Sequence, residues 1–169
     1  MRLYSGKVPA IATEVVRGLL ASNAIEAAQP KEAEADVAAV LNRYLTDERE
    51  VNERAKDVVE RTGKPQTEYA RVRRLVADER GIKVGDEALD YLLDQVVEML
   101  MHSAHVDEVY VEDVELRRKM APVFKKHMAV DSALEDEVRA QLRHLREGTR
   151  EWEVEYARVL DQVKRRKGL

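Results

Sequence analysis

Apolar residues recur at helical spacing along almost the whole of this chain. Ile11, Val15, Val16, Leu19 and Leu20 make one broad stripe, which predicts a helix from about Pro9, a residue suited to a first helical position, to a stop at Asn23. Pro30 opens a longer second helix in which Val37, Leu41, Tyr44, Val51, Ala55 and Val58 step by fours and threes. One step of that series, Glu48, is polar, and Asp47 with Glu50 has capping-box spacing, so the helix either bends and restarts there or runs on. Gly63-Lys64-Pro65 ends it. A third helix follows from Pro65, with Tyr69, Val72 and Val76 on one face and Gly81 as its C-terminal cap.

The second half repeats the programme. A helix from about Asp86 carries Leu89, Leu93, Val96 and Leu100, and a long one carries Phe124, His127, Leu134, Val138, Leu142 and Leu145 before a stop at Gly148. Pro122 and Asp131-Ser132 are candidate breaks within it. A last helix, with Thr149 as candidate N-cap, carries Trp152, Tyr156, Val159 and Val163 and runs to Gly168.

The halves can be laid on each other. Glu68-Tyr69-Ala70-Arg71-Val72 recurs unchanged as Glu155-Tyr156-Ala157-Arg158-Val159. Val40, Leu41, Leu45, Val51, Ala55 and Val59 fall against Val123, Phe124, Met128, Leu134, Val138 and Leu142 at one constant offset, with Glu48 matching Asp131, and the terminal glycines Gly81 and Gly168 match as well. Val15, Val16, Leu19 and Leu20 can be set against Leu92, Leu93, Val96 and Val97. Amphipathic helices of one period always align tolerably, but the shared polar break and pentapeptide favour a tandem duplication. The expected fold is therefore all-α: two tandem three-helix units, residues 1–82 and 83–169, with long antiparallel helices, no significant β-sheet and a hinge rather than a strand at Ile82-Lys83-Val84.

Composition agrees with that picture. Of 169 residues, 44% are hydrophobic and 37% charged, with only seven Gly and four Pro, which suits long helices, dense charge on their outer faces and short loops. A chain of this size can bury roughly 70% of the surface it exposes when unfolded. The net charge of −4 gives no general attraction to nucleic acid or to an anionic membrane. With no cysteine, disulfides and thiolate chemistry are excluded, and the cytoplasm is the expected location. The first residues lack the apolar run of a signal peptide, and charges such as Asp94 and Glu98 cut even the most apolar segment short of a membrane span.

Met1-Arg2-Leu3 at one end, and Glu147-Gly148-Thr149-Arg150-Glu151-Trp152 leading to Lys164-Arg165-Arg166-Lys167-Gly168 at the other, give the chain a recognisable pattern. It resembles the bacterial family catalogued as domain of unknown function 507, whose short members look like a single unit with the same start, a Gly-(Ser/Thr)-x-Glu-Trp turn and a basic end. The first half departs from the pattern, since Gly63-Lys64-Pro65-Gln66-Thr67 replaces the turn and has no Trp. The resemblance implies a helical bacterial protein of the cytoplasm. It implies no activity, cofactor or catalytic residue.

Three groups of residues are candidates for function. Asp94, Glu98, His102 and His105 lie near one helix face at ligand-like spacing, Glu98, His102 and His105 being the weak metal candidates, although a polar helix edge explains them equally well. Arg71, Arg73 and Arg74, with Lys164, Arg165, Arg166 and Lys167, could bind phosphates, but cations also belong in the last turns of helices and aromatics are few. Tyr69, Arg71, Arg74, Trp152, Tyr156 and Arg158 have the composition of an interface anchor, against the commoner reading of Tyr and Trp as core. Leu92, Leu93, Val96, Val97, Met99, Leu100 and Met101 make a helix apolar nearly all round, either central in its domain or packed on a second copy in a homodimer. No dinucleotide, phosphate-loop, zinc-protease or serine-hydrolase motif is present. The leading expectation is a non-enzymatic helical interaction or scaffold protein. The alternatives are a nucleic-acid-associated protein using the basic third helices and a metal-dependent enzyme at the histidine face.

Overall fold

Proline sits where a helix tolerates it at the start of α1 (Val8–Ala21), in the first turn, whose N–H groups lack intrahelical partners in any case. The computed structural model describes residues 2–167, apart from the side chains of residues 130–132. Gly168 and the side chain of Asp131, two of the matched positions, lie outside the described residues. After α1 come β1 (Ile25–Glu26), α2 (Pro30–Thr62), α3 (Tyr69–Arg80), α4 (Ala88–His102), β2 (Glu108–Val109), α5 (Asp113–Gln141) and α6 (Arg150–Lys167). Single 3-10 turns at Ser5–Lys7, Gln66–Glu68 and Gly85–Glu87 lead into α1, α3 and α4. The fold is all-α, 78% helical with a two-stranded sheet of two residues per strand.

Helix ends follow from local chemistry. Gly81 takes a φ of 79°, the Ile82 N–H reaches the Ala77 carbonyl at 3.0 Å, and the Gly81 N–H reaches that of Asp78 at 3.1 Å. This paired closure satisfies two of the last carbonyls of α3 and buries Ile82 as its apolar seal. Asn23 closes α1 in the same way at φ 56°, with Ala24 donating to Leu19 at 2.9 Å. Ile82 is thus packed, and Lys83 pairs with Asp78 at 2.8 Å, so the expected hinge at 82–84 is anchored at its start.

The candidate breaks in the long helices are not taken up. α2 is continuous through Asp47 and Glu50, its buried line running on from Tyr44 to Val51, Ala55 and Val59, with Val59 rather than Val58 on the core side. α5 is continuous through Pro122, because Leu116, Met120, Phe124 and Met128 form one fully buried stripe on both sides of it and hold the helix against the loss of one hydrogen bond. It ends at Gln141, earlier than the expected stop at Gly148. Leu142 and Leu145 instead donate to carbonyls three residues back, winding residues 142–148 into turns.

The chain forms two compact units, and they do not follow the 82/83 boundary. Residues 2–46 and 85–129 make the first unit, and residues 47–84 and 130–167 the second, so each takes part of both halves of the sequence. The first unit has a core of Leu3, Ile11, Val15, Val16, Leu19, Val37, Leu41, Leu92, Val96, Leu100, Leu116, Met120, Phe124 and Met128. In the second, Val51, Ala55, Val59, Tyr69, Val72, Val76, Leu134, Val138, Leu142, Trp152, Tyr156, Val159 and Val163 are buried. The apolar surround of α4 is thereby explained: six of its residues, Ala88, Leu92, Leu93, Val96, Val97 and Leu100, are buried within the first unit, and of its apolar residues only Met101 is exposed.

Burial recurs in register between the halves. In α2 and in α5 with the residue that follows it, Ala33, Val37, Leu41, Val51, Ala55 and Val59 correspond at a spacing of 83 to Leu116, Met120, Phe124, Leu134, Val138 and Leu142, and all are buried. In α3 and α6 the spacing is 87, pairing Tyr69, Val72 and Val76 with Tyr156, Val159 and Val163. In α1 and α4 it is 81, pairing Ile11, Ala12, Val15, Val16 and Leu19 with Leu92, Leu93, Val96, Val97 and Leu100. The match of Val15 with Leu92, one helical turn away, also sets buried Val15, Val16 and Leu19 against buried Leu92, Leu93 and Val96, but places partly buried Leu20 against buried Val97, because apolar spacing repeats every turn.

Candidate functional site

The aromatic and basic residues of α3 and α6 divide between core and surface. Thr149 caps α6 as expected, its Oγ1 accepting from the Trp152 N–H at 3.2 Å. That places Trp152 and Tyr156 inward, stacked with ring centres 4.8 Å apart and 5% and 1% exposed. Tyr69 is 3% exposed and donates from its hydroxyl to the Asn52 carbonyl at 3.3 Å. Tyr69, Trp152 and Tyr156 therefore close the core of the second unit and are not anchors offered to a partner, because a ring already buried has no surface left to lose. Arg71, Arg74 and Arg158 are exposed. The repeated pentapeptide writes one local structure twice: buried Tyr and Val, with an ion pair three residues apart, Arg71 to Glu68 at 2.7 Å and Arg158 to Glu155 at 2.6 Å.

The basic clusters are largely matched by carboxylates. Arg73 pairs with Glu48 at 3.5 Å and donates to Asn52, Arg165 pairs with Asp161 at 3.0 Å, and Arg166 and Lys167 both reach Glu137. The hydrogen bond from Lys167 leads in holding the Glu137 carboxyl below its ordinary range. Exposed pairs of this kind add little stability, but they leave less positive field for a phosphate backbone.

The four residues of the histidine face do not converge. Asp94 is bound by Arg117, which also reaches Asp90 at 3.3 Å. Glu98 and His102 stand in solvent, His102 Nδ1 lying 2.9 Å from the Glu98 carbonyl. His105 lies beyond the end of α4, its Nδ1 2.8 Å from Asp36 Oδ2 on α2. Among the described residues, no three His, Asp or Glu side chains are grouped so as to hold a metal ion.

Asp36 instead gathers a small polar cluster. Ser103 Oγ donates to Asp36 Oδ2 at 2.5 Å, the same oxygen that takes His105, and the His105 N–H donates to Ser103 Oγ at 3.0 Å. An open cavity of about 380 Å³ lies alongside, lined by these three residues with Val40, Met99 and His102 among others. A Ser, a His and an Asp are all within reach, yet the serine donates to the carboxylate and not to the imidazole. His105 cannot draw the serine proton in that order, so the cluster fastens the turn after α4 to α2 and does not activate a nucleophile.

The hydrogen bond to Asp36 holds the His105 imidazole above its ordinary 6.5, against the opposing effect of burial and with help from the charges of Asp36 and Glu32. For Asp36, burial pushes upward, but the hydrogen bonds from Ser103 and His105 outweigh it and keep the carboxyl below its ordinary 3.8. His105 then contributes stability that is fully present below about pH 6.5 and lost as pH rises through its elevated folded value. Asp36 contributes stability present above pH 3.8 and lost as pH falls through its depressed value. An NMR titration of His105 should show a midpoint above 6.5 that returns toward 6.5 in Asp36→Asn; a midpoint unmoved by that substitution would refute the pairing.

A surface that periodicity did not reveal lies at the short sheet. The Tyr110 N–H donates to the Ala24 carbonyl at 2.9 Å, and its hydroxyl is held by Glu26, yet the residue is 60% exposed. Val114, in the first turn of α5, is 75% exposed. Glu26 and Glu108 stand directly opposite each other in the ladder, and Asp107 Oδ2 accepts from the Ala28 N–H at 2.7 Å. No Lys or Arg occurs in residues 18–30 or 103–116, whereas Glu26, Asp107, Glu108, Glu112 and Asp113 do. The hydrogen bond to Glu26, burial and the charges of Glu26 and Glu108 push the Tyr110 hydroxyl above its ordinary 10.0. The sequence carried two signals for this surface, a tyrosine among valines and a stretch of carboxylates with no Lys or Arg between them, but the contact joins residues 84 apart.

No helix among the described residues is long and apolar enough to cross a membrane. Comparison with curated proteins gives no match. The model of one family, described as protein of unknown function (DUF507), matches residues 1–169, and the chain belongs to that family.

Proposed function

We propose that this is a non-enzymatic helical interaction protein of the bacterial cytoplasm, and that it binds a protein partner through the surface around Tyr110. The observation that supports this most is a fixed, exposed aromatic ring beside an exposed Val114 on a stretch that holds carboxylates and no Lys or Arg. Solvent-facing apolar residues are ordinary one at a time. A tyrosine already pinned by a hydrogen bond loses little freedom on binding and supplies the kind of contact that dominates interface energies. The carboxylates around it complement a basic segment, with one apolar residue of the partner set against Tyr110 and Val114. Two opposed glutamates in a two-residue ladder are also unfavourable by themselves, and a cationic partner relieves their repulsion.

Full-length protein titrated with Lys/Arg-rich peptides that include an aliphatic residue tests this. Binding should weaken as salt rises, shift the amides of residues 24–28 and 107–114, and fall roughly 30-fold in Tyr110→Ala, as expected for a residue worth about 2 kcal/mol. Equal binding of acidic peptides, or affinity unaffected by Tyr110→Ala, would count against it.

A further inference from the structure

We infer that the two halves of the chain are the subunits of an interlocked dimer fused into one polypeptide, so that the partner each half is built to bind is a second copy of its own helical unit. Two-fold related copies meet through the same surface on each, so a contact from position i of one copy to position j of the other recurs with the roles exchanged. The β ladder behaves so. β1 and β2 occupy the same place in their halves, between the first helix and the long helix, and they pair with each other antiparallel, Ile25 with Val109 and Glu26 with Glu108, as two copies of one segment do across a two-fold axis.

Side-chain contacts in the first unit carry the same mark. α2 reaches across to the other half through Tyr44, whose ring centre lies 5.9 Å from that of Tyr91 on α4. Its equivalent on α5, His127, reaches back to α1 at Glu14, 2.9 Å away and one turn along from Ala10, the residue equivalent to Tyr91. Within each half the first helix meets the long helix at matching points: Thr13 donates to Glu34 at 3.4 Å, and the equivalent residues Asp94 and Arg117 pair with the polarity reversed. A shared helical period explains repeated burial along single helices. It does not pair the equivalent short segments of the two halves with each other, or produce polar contacts between equivalent positions on different elements.

In the second unit the halves also meet directly. The Arg150 N–H donates to Gln66 Oε1 at 3.1 Å and its guanidinium pairs with Glu60. Each half thus supplies part of both compact units, and neither half contains a complete core.

The test opens the connector in the folded full-length protein. A protease recognition sequence inserted between Lys83 and Val84 is cleaved after purification, with the uncut insertion protein as control. Because cutting turns one folding reaction into an association, the fragments should elute together at the mass of the whole chain, and their melting temperature should rise with protein concentration. Two folded particles of half the mass would overturn the inference, as would helicity independent of concentration, whether retained or lost.

Discussion

Phe124→Ala should lower the stability of the first unit by about 3–5 kcal/mol, read as a fall in the urea midpoint of helix loss in residues 2–46 and 85–129. Phe124 is fully buried and lies in a continuous line with Leu116, Met120 and Met128 on α5. Removing its ring takes away the transfer energy of the side chain and leaves a cavity among neighbours from both halves of the sequence. Domains are stable by only about 5–15 kcal/mol, so a loss of this size is a large part of the whole. Leu41→Ala, at the equivalent position of α2, should cost about 2–5 kcal/mol in the same unit. Val114→Ala, at a position 75% exposed, should change stability by no more than about 0.5 kcal/mol. Equal effects of Phe124→Ala and Val114→Ala would mean that the described core is wrong.

Tyr156→Ala should destabilise the second unit by a similar amount, about 3–5 kcal/mol, to which the stack on Trp152 adds roughly 0.5–1.5 kcal/mol. Tyr156 is 1% exposed, and its ring centre lies 4.8 Å from that of Trp152. The variant should also lose the near-ultraviolet dichroism of the chain's single Trp, since that ring would no longer be held against a neighbour. An unchanged tryptophan signal would show that Trp152 is fixed by something other than the stack.

These residues show what could be read from the chain. Helices were legible because each carries an apolar stripe long enough to declare its period, and Gly81 and Thr149 declared their caps. The continuity of α2 and α5 was not, because Asp47 and Pro122 carry local signals for a break that burial on either side outweighs. The sheet was invisible, since two residues show no period, and the unit boundaries were invisible because no local feature reports which half a long helix packs against. For function, Trp152 and Tyr156 had the composition of an interface yet serve the core. His105 found Asp36, 69 residues earlier in the chain, and not the carboxylates of its own helix.

Interlocking also changes where a difference between the halves should matter. Tyr110 and Val114 correspond to Ala27 and Lys31, so the surface proposed for a partner has no counterpart in the first half. A fused dimer allows one copy to change while the other keeps the shared core intact, which a true homodimer does not.

Hydrogen exchange on full-length Tyr156→Ala tests the interlocked arrangement most directly, because the substitution lies in the second half alone. If each compact unit draws on both halves, amide protection should fall in residues 47–84 together with 130–167 and persist in 2–46 and 85–129. Loss confined to residues 83–167, with 47–82 fully protected, would show that each half folds by itself and would contradict the account.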